Sequence, residues 1–194
     1  RGLGDVYKRQ IHAWAAHIPG VKVVVPSTAG ECKGLLKTAI RDNDPVMFFE
    51  HKMLYTTKFN DVPEVEEDVC IPFGRARIVA EGADITVVTN SMMTIKAEKA
   101  VRQLQKEGIS AELIDLRTIV PLDTETIIRS VKKTGKLLIV DEGHLSFGIT
   151  GEIASRIMPD VFYDLDAPIQ RMGTADVPLP FSPALEFPLI PDEK

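Results

Sequence analysis

The side chains of this 194-residue chain best suited to chemistry are four histidines, two cysteines and a few acidic residues placed at strand ends. His12 and His17 stand five apart, which puts them on different faces of a helix. Neither they nor His51 and His144 form a His-x-x-x-His pair with a neighbouring carboxylate, so the spacing argues against a zinc site. No serine lies in a Gly-x-Ser-x-Gly elbow, and no Gly-x-x-x-x-Gly-Lys phosphate loop occurs. Cys32 and Cys70 lack paired-motif spacing and read as reduced structural thiols. The stretch Gly143 to Gly148, followed by Gly151, has two readings. One is backbone amides holding an anion at a helix start; the other is a plain strand-to-helix turn in which glycine supplies left-handed geometry. Asp141-Glu142 follows an apolar strand, at the carboxyl end where open α/β sheets place ligands.

The elements that must position these residues alternate along the chain. Ile11 to His17 reads as a short helix stopped by Pro19-Gly20, and Val21 to Val25 as a buried strand. Ser27 or Thr28 caps the next helix, with Glu31 placed for the reciprocal half of a capping box. Leu35, Leu36, Ala39 and Ile40 share a face of that helix, which Asp42-Asn43-Asp44-Pro45 ends. Val46 to Phe49 is a second strand, and strand–helix–strand is the grammar of a parallel sheet. His51 to Pro72 is acidic and apolar-poor; it reads as an exposed connector between domains, or as a long surface loop within one.

Beyond Pro72 the spacing predicts strands at Ala76–Val79, Ile85–Thr89, Ala111–Leu116 and Leu137–Val140. Helices are predicted over Thr94–Glu107, from Pro121 through Lys133, and over Gly148–Met158. Six prolines after Asp166 predict an extended tail wrapped over a surface. Composition sets the class. Hydrophobic residues make up 44%, charged residues 26%, and the net charge is −5. An acidic balance argues against a nucleic-acid surface, and no apolar run approaches the roughly 18 residues of a membrane span. The sequence therefore describes an α/β protein without a self-contained catalytic set: a subunit or piece of an enzyme, or a scaffold module.

Several long strings carry a resemblance. His17-Ile-Pro-Gly-Val-Lys-Val-Val-Val-Pro26, Gly34-Leu-Leu-Lys with Ala39-Ile-Arg-Asp-Asn-Asp-Pro45, and Ile114-Asp-Leu-Arg-Thr-Ile-Val-Pro-Leu-Asp123 are three of them. Lys133-Thr-Gly-Lys136, Asp166-Ala-Pro-Ile-Gln-Arg171 and Ala175-Asp-Val-Pro-Leu-Pro180 complete the set. From about Ile11 onward the chain resembles the β subunit of the thiamine diphosphate-dependent, decarboxylating component of 2-oxo acid dehydrogenase complexes, the subunit shared by pyruvate, branched-chain and acetoin dehydrogenases.

The resemblance implies the last part of a pyrimidine-binding α/β domain at residues 11–60, a linker at 61–72, and a transketolase C-terminal-type α/β domain at 73–194. It places the family's cofactor-contacting glutamate upstream of this stretch, and its His-Ser-Gln histidine at Tyr7, which does not match. Residues 1–10 are accordingly expected to be a foreign or junction segment, with no catalytic and no cofactor-binding residue in this chain. Thiamine diphosphate and magnesium belong, by the same resemblance, to the intact enzyme. A potassium ion is expected on the backbone carbonyls of Ala39, Ile40 and Asp44 together with Asp42, where Asp44 replaces a usual asparagine. Unpaired carbonyls at a helix end suit such a cation, and a plain capping turn is the other reading. Implied partners are the α subunit, a second β subunit and the lipoyl acyltransferase core; implied locations are the bacterial cytoplasm or the mitochondrial matrix.

Overall fold

A computed structural model describes residues 11–55, 69–180 and 182–193. The segment 1–10 and residues 56–68, which include most of the linker expected at 61–72, lie outside the described residues.

Helix α1 (Ile11–Ala16) leads into strand β1 (Lys22–Val24), helix α2 (Ala29–Arg41) and strand β2 (Val46–Phe48). Thr28 caps α2 by accepting the Glu31 amide, while the Glu31 carboxylate accepts the amide of Ser27. The capping box thus closes one residue earlier than its usual form. β1 and β2 pair in parallel, as strand–helix–strand grammar requires. On the shared apolar face of α2 only Leu35 is fully enclosed; Leu36 is exposed and Ile40 is 76% exposed.

After a 3₁₀ turn (Lys52–Tyr55), the second portion contains β3 (Arg77–Ala80), β4 (Ile85–Thr89), α3 (Ser91–Lys106), β5 (Ala111–Asp115), β6 (Thr118–Val120), α4 (Thr124–Thr134), β7 (Leu137–His144), α5 (Ile149–Val161), β8 (Gln170–Thr174), α6 (Pro183–Glu186) and a closing 3₁₀ turn. Five strands form one sheet in the order β3-β5-β4-β7-β8, parallel except for β3, which runs antiparallel to β5. Its two faces are covered separately. Val87, Leu113 and Val140 pack with Met92, Met93 and Val101 of α3. Val88, Ile114 and Ile139 pack with Ile127 and Val131 of α4 and with Ile153, Ile157 and Val161 of α5. Alternate residues of each central strand serve opposite helices, which is why these strands read as continuous apolar runs.

The structure departs from the predicted elements in four places. β6 is an additional strand, and it pairs antiparallel with β1, so the three-stranded sheet β2-β1-β6 draws on both portions of the chain. Thr118, Ile119 and Val120 are too few to show periodicity by themselves. β7 runs on through Asp141 to His144, because β8 continues to pair alongside it. α5 passes through Pro159 to Val161, held by the fully enclosed Ile157 and Val161 despite the lost amide donor. The tail, expected to be extended, contributes β8 from its proline-free stretch and a short helix at Pro183.

The apolar core runs without a break from Ala15, Val23 and Val25 of the first portion into Ile119 and the α4/α5 layer. Gly135 ends α4 at φ 66°, and a Cβ there would meet the Asp166 carboxylate at 2.3 Å. Ile127, wholly enclosed between α4 and the sheet, is expected to cost about 2–5 kcal/mol on replacement by alanine, read as a lowered urea midpoint.

Candidate functional site

Strand order decides where a ligand crevice would form. From β4 the chain crosses through α3 to β5 on one side; from β7 it crosses through α5 to β8 on the other. The carboxyl ends of neighbouring β4 and β7 are therefore the point at which the connections diverge. Asn90 follows β4 and Asp141 lies on β7, and the Asn90 side-chain amide donates to Asp141 Oδ1 at 2.9 Å. The Gly143 amide donates to Oδ2 at 3.0 Å. A third donor comes from the first portion: α1 places His12 Nε2 3.1 Å from the same Oδ2.

Both partners are enclosed, His12 at 8% and Asp141 at 1% exposure. Burial by itself pushes the His12 pKa down, but the charge and hydrogen bond of Asp141 outweigh it and leave the imidazole above its usual 6.5. For Asp141, burial pushes up, and the charge of His12 with its hydrogen bond, then Asn90 and Gly143, hold it below the usual carboxylate value. With His12 protonated the pair is an imidazolium and a carboxylate, and Asn90 and Gly143 donate to the same carboxylate.

The adjacent carboxylate is also met by a histidine: His51 Nε2 stands 2.7 Å from Glu142 Oε2. His51 Nδ1 accepts the Met53 amide at 3.2 Å, so the proton toward Glu142 is on Nε2. Beside them Glu50 accepts from Tyr55 Oη at 2.7 Å and from Cys32 Sγ at 2.9 Å. Burial and then Glu50 push the Cys32 thiol up to about 12, which leaves it protonated and a poor nucleophile. His12, Glu50, His51, Tyr55, Asp141 and Glu142 line a cavity of 280 Å³ between the two portions, together with Ser91 and Met92 at the start of α3. Glu50, Asp141 and Glu142 make its wall acidic, so it does not fit a diphosphate group, and none of its histidines serves a positioned nucleophile.

A second buried charge cluster joins α2 to β3 and β5. Arg117 Nε donates to Glu31 Oε1 at 2.8 Å. Arg77 Nε lies 2.8 Å from the same oxygen, and its Nη2 is 3.4 Å from Asp115 Oδ2. Arg117 takes φ 60°, and its amide donates to Asp115 Oδ1 at 3.2 Å. Burial, reinforced by the nearby Glu31 carboxylate, pushes Asp115 up to about 7.

The residues expected to hold a cation are grouped at the end of α2. Asp42 caps the helix, its amide donating to Ala39 O at 3.3 Å. Both Asp42 oxygens lie 2.7 Å from Lys22 Nζ, and Asp44 Oδ2 lies 3.0 Å from it. The two carboxylates do gather a monovalent cation, and it is the chain's own ammonium. The carbonyls of Ala39, Ile40 and Asp44 remain the donors of a kind that potassium would use. In the glycine stretch, the amide and hydroxyl of Ser146 both donate to Asp176, so the anion there is an internal carboxylate. Gly148 is needed for closeness, since a Cβ would fall 2.1 Å from His144 O.

Of the sequence-derived candidates, Asp141-Glu142 stands at the crevice, whereas the pairing of His12 and His51 with it crosses sequence separations that no local spacing reveals. Glu31 was readable as a cap and Arg117 only as part of a string; their meeting with Arg77 and Asp115 was not.

Two family descriptions match the chain in succession: the transketolase pyrimidine-binding domain over residues 9–58 and the transketolase C-terminal domain over residues 74–194. Among curated relatives, the pyruvate dehydrogenase E1 component subunit beta of Rickettsia felis is 51% identical over 178 residues, covering 92% of this chain and 54% of the relative. The mitochondrial pyruvate dehydrogenase E1 subunit beta-1 of Arabidopsis thaliana is 44% identical, covering 98% and 53%. The 2-oxoisovalerate dehydrogenase subunit beta of Bacillus subtilis is 44% identical, covering 98% and 59%. A solved split-gene transketolase, described as an inactive beta4 tetramer, superposes with a TM-score of 0.69 at 26% identity, over 92% of this chain and 55% of that one. The chain spans about half the length of the curated relatives it matches.

The Asp115 carboxyl sets a sign for pH dependence. Its native value of about 7 lies above the ordinary 3.8, so the native state keeps a proton that the unfolded chain has released. Its stabilisation is complete below 3.8 and is lost as pH rises through about 7. Asp115→Asn is expected to gain stability relative to the unaltered chain between about pH 4.5 and about pH 7.5, measured as the difference in urea midpoints at the two pH values.

Proposed function

The chain belongs to the transketolase C-terminal domain family, and on that premise we propose that it is the C-terminal part of the β subunit of a thiamine diphosphate-dependent 2-oxo acid dehydrogenase. The observation that carries the reading is the succession of a pyrimidine-binding portion and a C-terminal domain in one chain that is 51% identical to a pyruvate dehydrogenase E1 subunit beta. The domain limits proposed are 11–60, a linker at 61–72, and 73–194. Pyruvate is the first substrate proposed, on that identity; a branched-chain 2-oxo acid is second, on the 44% identity to the 2-oxoisovalerate subunit.

Thiamine diphosphate, when bound in such enzymes, supplies the carbanion chemistry of decarboxylation. This chain's own residues do something else. His12, Asn90 and Gly143 fill the switch-point crevice around Asp141, and the Glu31–Arg117–Arg77–Asp115 cluster fixes α2 against the five-stranded sheet. That is the work of a rigid assembly unit, which supports a role in joining an α subunit, a second β subunit and the lipoyl acyltransferase core. The proposed location is the cytoplasm for a bacterial protein and the mitochondrial matrix for a eukaryotic one. Among the described residues no helix is long and apolar enough to cross a membrane.

With thiamine diphosphate and magnesium, the chain alone is expected to release no carbon dioxide from pyruvate, and to retain an added α subunit on an affinity column. Supplying the α subunit and a complete β chain carrying this sequence is expected to give decarboxylation, faster with pyruvate than with 2-oxoisovalerate. Activity of the isolated chain, or failure to bind the α subunit, contradicts the reading.

We also propose a potassium site on the carbonyls of Ala39, Ile40 and Asp44 beside Asp42. Exchanging sodium for potassium at constant ionic strength is then expected to raise the unfolding midpoint by about 3 °C, a ligand-linked gain of roughly 1 kcal/mol. Equal midpoints in the two salts remove the site.

A further inference from the structure

The described part of helix α1 is six residues, too few to persist by their own hydrogen bonds, so its place depends on what it touches. One anchor is apolar: Ala15 enters the main core, while Trp14 beside it is left 66% exposed. The other is polar, a link from α1 to the crevice beside β4 and β7 through His12 and Asp141. Asp141 has no freedom to follow a departing partner, because Asn90 and Gly143 hold it from the sheet itself. We propose that His12 and Asp141 form a pH-gated latch that fastens α1 over the switch point of the five-stranded sheet and releases it when the imidazole loses its proton.

The charges facing His12 make the proton decisive. From β7 come Asp141 and Glu142; from the segment after β2 come Glu50, His51 and Tyr55. The junction of β4 and α3 adds only the uncharged Asn90 and Ser91. His144, further along β7, acts on Asp176 instead. His51 engages Glu142 with Nδ1 already accepting a backbone amide, and Glu50 is engaged by Tyr55 and Cys32, both neutral donors. Among the described residues, His12 is the group that reaches Asp141 from outside the five-stranded sheet. Once it is neutral, Asp141 keeps an enclosed negative charge close to Glu142, and the cost of that charge falls on the α1 contact, the one donor that can move.

The sign follows from the pair's two shifts. His12 is held above 6.5, so the latch is complete below that value and is lost as pH rises through the native value of His12. Asp141 is held below 3.8, so on the acid side the latch persists until pH falls beneath that. The inference concerns the packing of this chain and stands whether or not the dehydrogenase reading does.

Hydrogen exchange followed by mass spectrometry on the whole chain, with labelling times corrected for intrinsic rates between about pH 6 and about pH 9, tests it. Peptides covering α1 are expected to lose protection by roughly tenfold across this range, while peptides covering α4 stay unchanged. In His12→Gln the α1 peptides are expected to be equally unprotected at every pH. A variant-free measurement accompanies it: the His12 ring proton, followed by NMR in the unaltered chain, is expected to titrate above 6.5. Flat α1 protection in the unaltered chain, an unaltered pH response in His12→Gln, parallel loss in α4, or a His12 midpoint below 6.5 each overturns the latch.

Discussion

An enclosed carboxylate must be answered by donors from whatever lies beside it, and Asp141 is enclosed at the point where the helices of the five-stranded sheet part company. Two of its donors, Asn90 and Gly143, belong to that sheet and could be arranged by it alone. The third, His12, belongs to a helix that precedes β1 and sits 129 residues earlier in the chain. Neutralising the buried charge therefore couples the two portions. The exit of β7, the seat of α1 and the cavity between them all follow from where that one carboxylate was placed.

The same constraint recurs on the other side of the interface with different chemistry. Glu31 and Asp115 approach each other from α2 and β5, and two carboxylates in one enclosed site cannot both ionise without cations. Arg77 and Arg117 supply them, yet burial still leaves Asp115 near neutral pH in its affinity for a proton. Placing Arg117 there requires a left-handed backbone at φ 60°, immediately before Thr118 opens β6. The amide of Val25 bonds to Arg117 O at 2.9 Å, and the Leu116 amide to Thr89 O at 2.9 Å, so the strained residue is pinned on both sides. β6 can reach β1 because the chain turns at this residue, and the three-stranded sheet owes its third strand to a charge pair.

What could be read in the sequence were features with local causes. The β-branched runs, the Thr28 cap, the Gly135 stop and the amphipathic helices each depend on residues within one or two turns of one another, and each is found. The Asp141-Glu142 pair is expected just past the end of a strand; it lies within β7, which runs on to His144, but at the level where neighbouring β4 ends and the crevice opens. What could not be read had partners far apart in the chain. His12 looks like half of a failed metal pair with His17 until Asp141 is beside it, and nothing near Lys22 in the sequence announces that it will sit between Asp42 and Asp44. β6 has too few residues to declare itself. The glycine stretch offered an anion site, and Asp176, about thirty residues away, turned out to be the anion.

Open α/β sheets put their ligands in the crevice at the switch point because backbone and side-chain donors converge there with nothing of their own to bond. In this chain the donors converge and are consumed. Asp141 takes the Asn90 amide, the Gly143 amide and the His12 imidazole, leaving the crevice satisfied by the protein itself. A domain that spends its binding position on a neighbouring portion of the chain is built to hold that neighbour in register. Its sheet then holds that neighbour in place through the three donors gathered on Asp141.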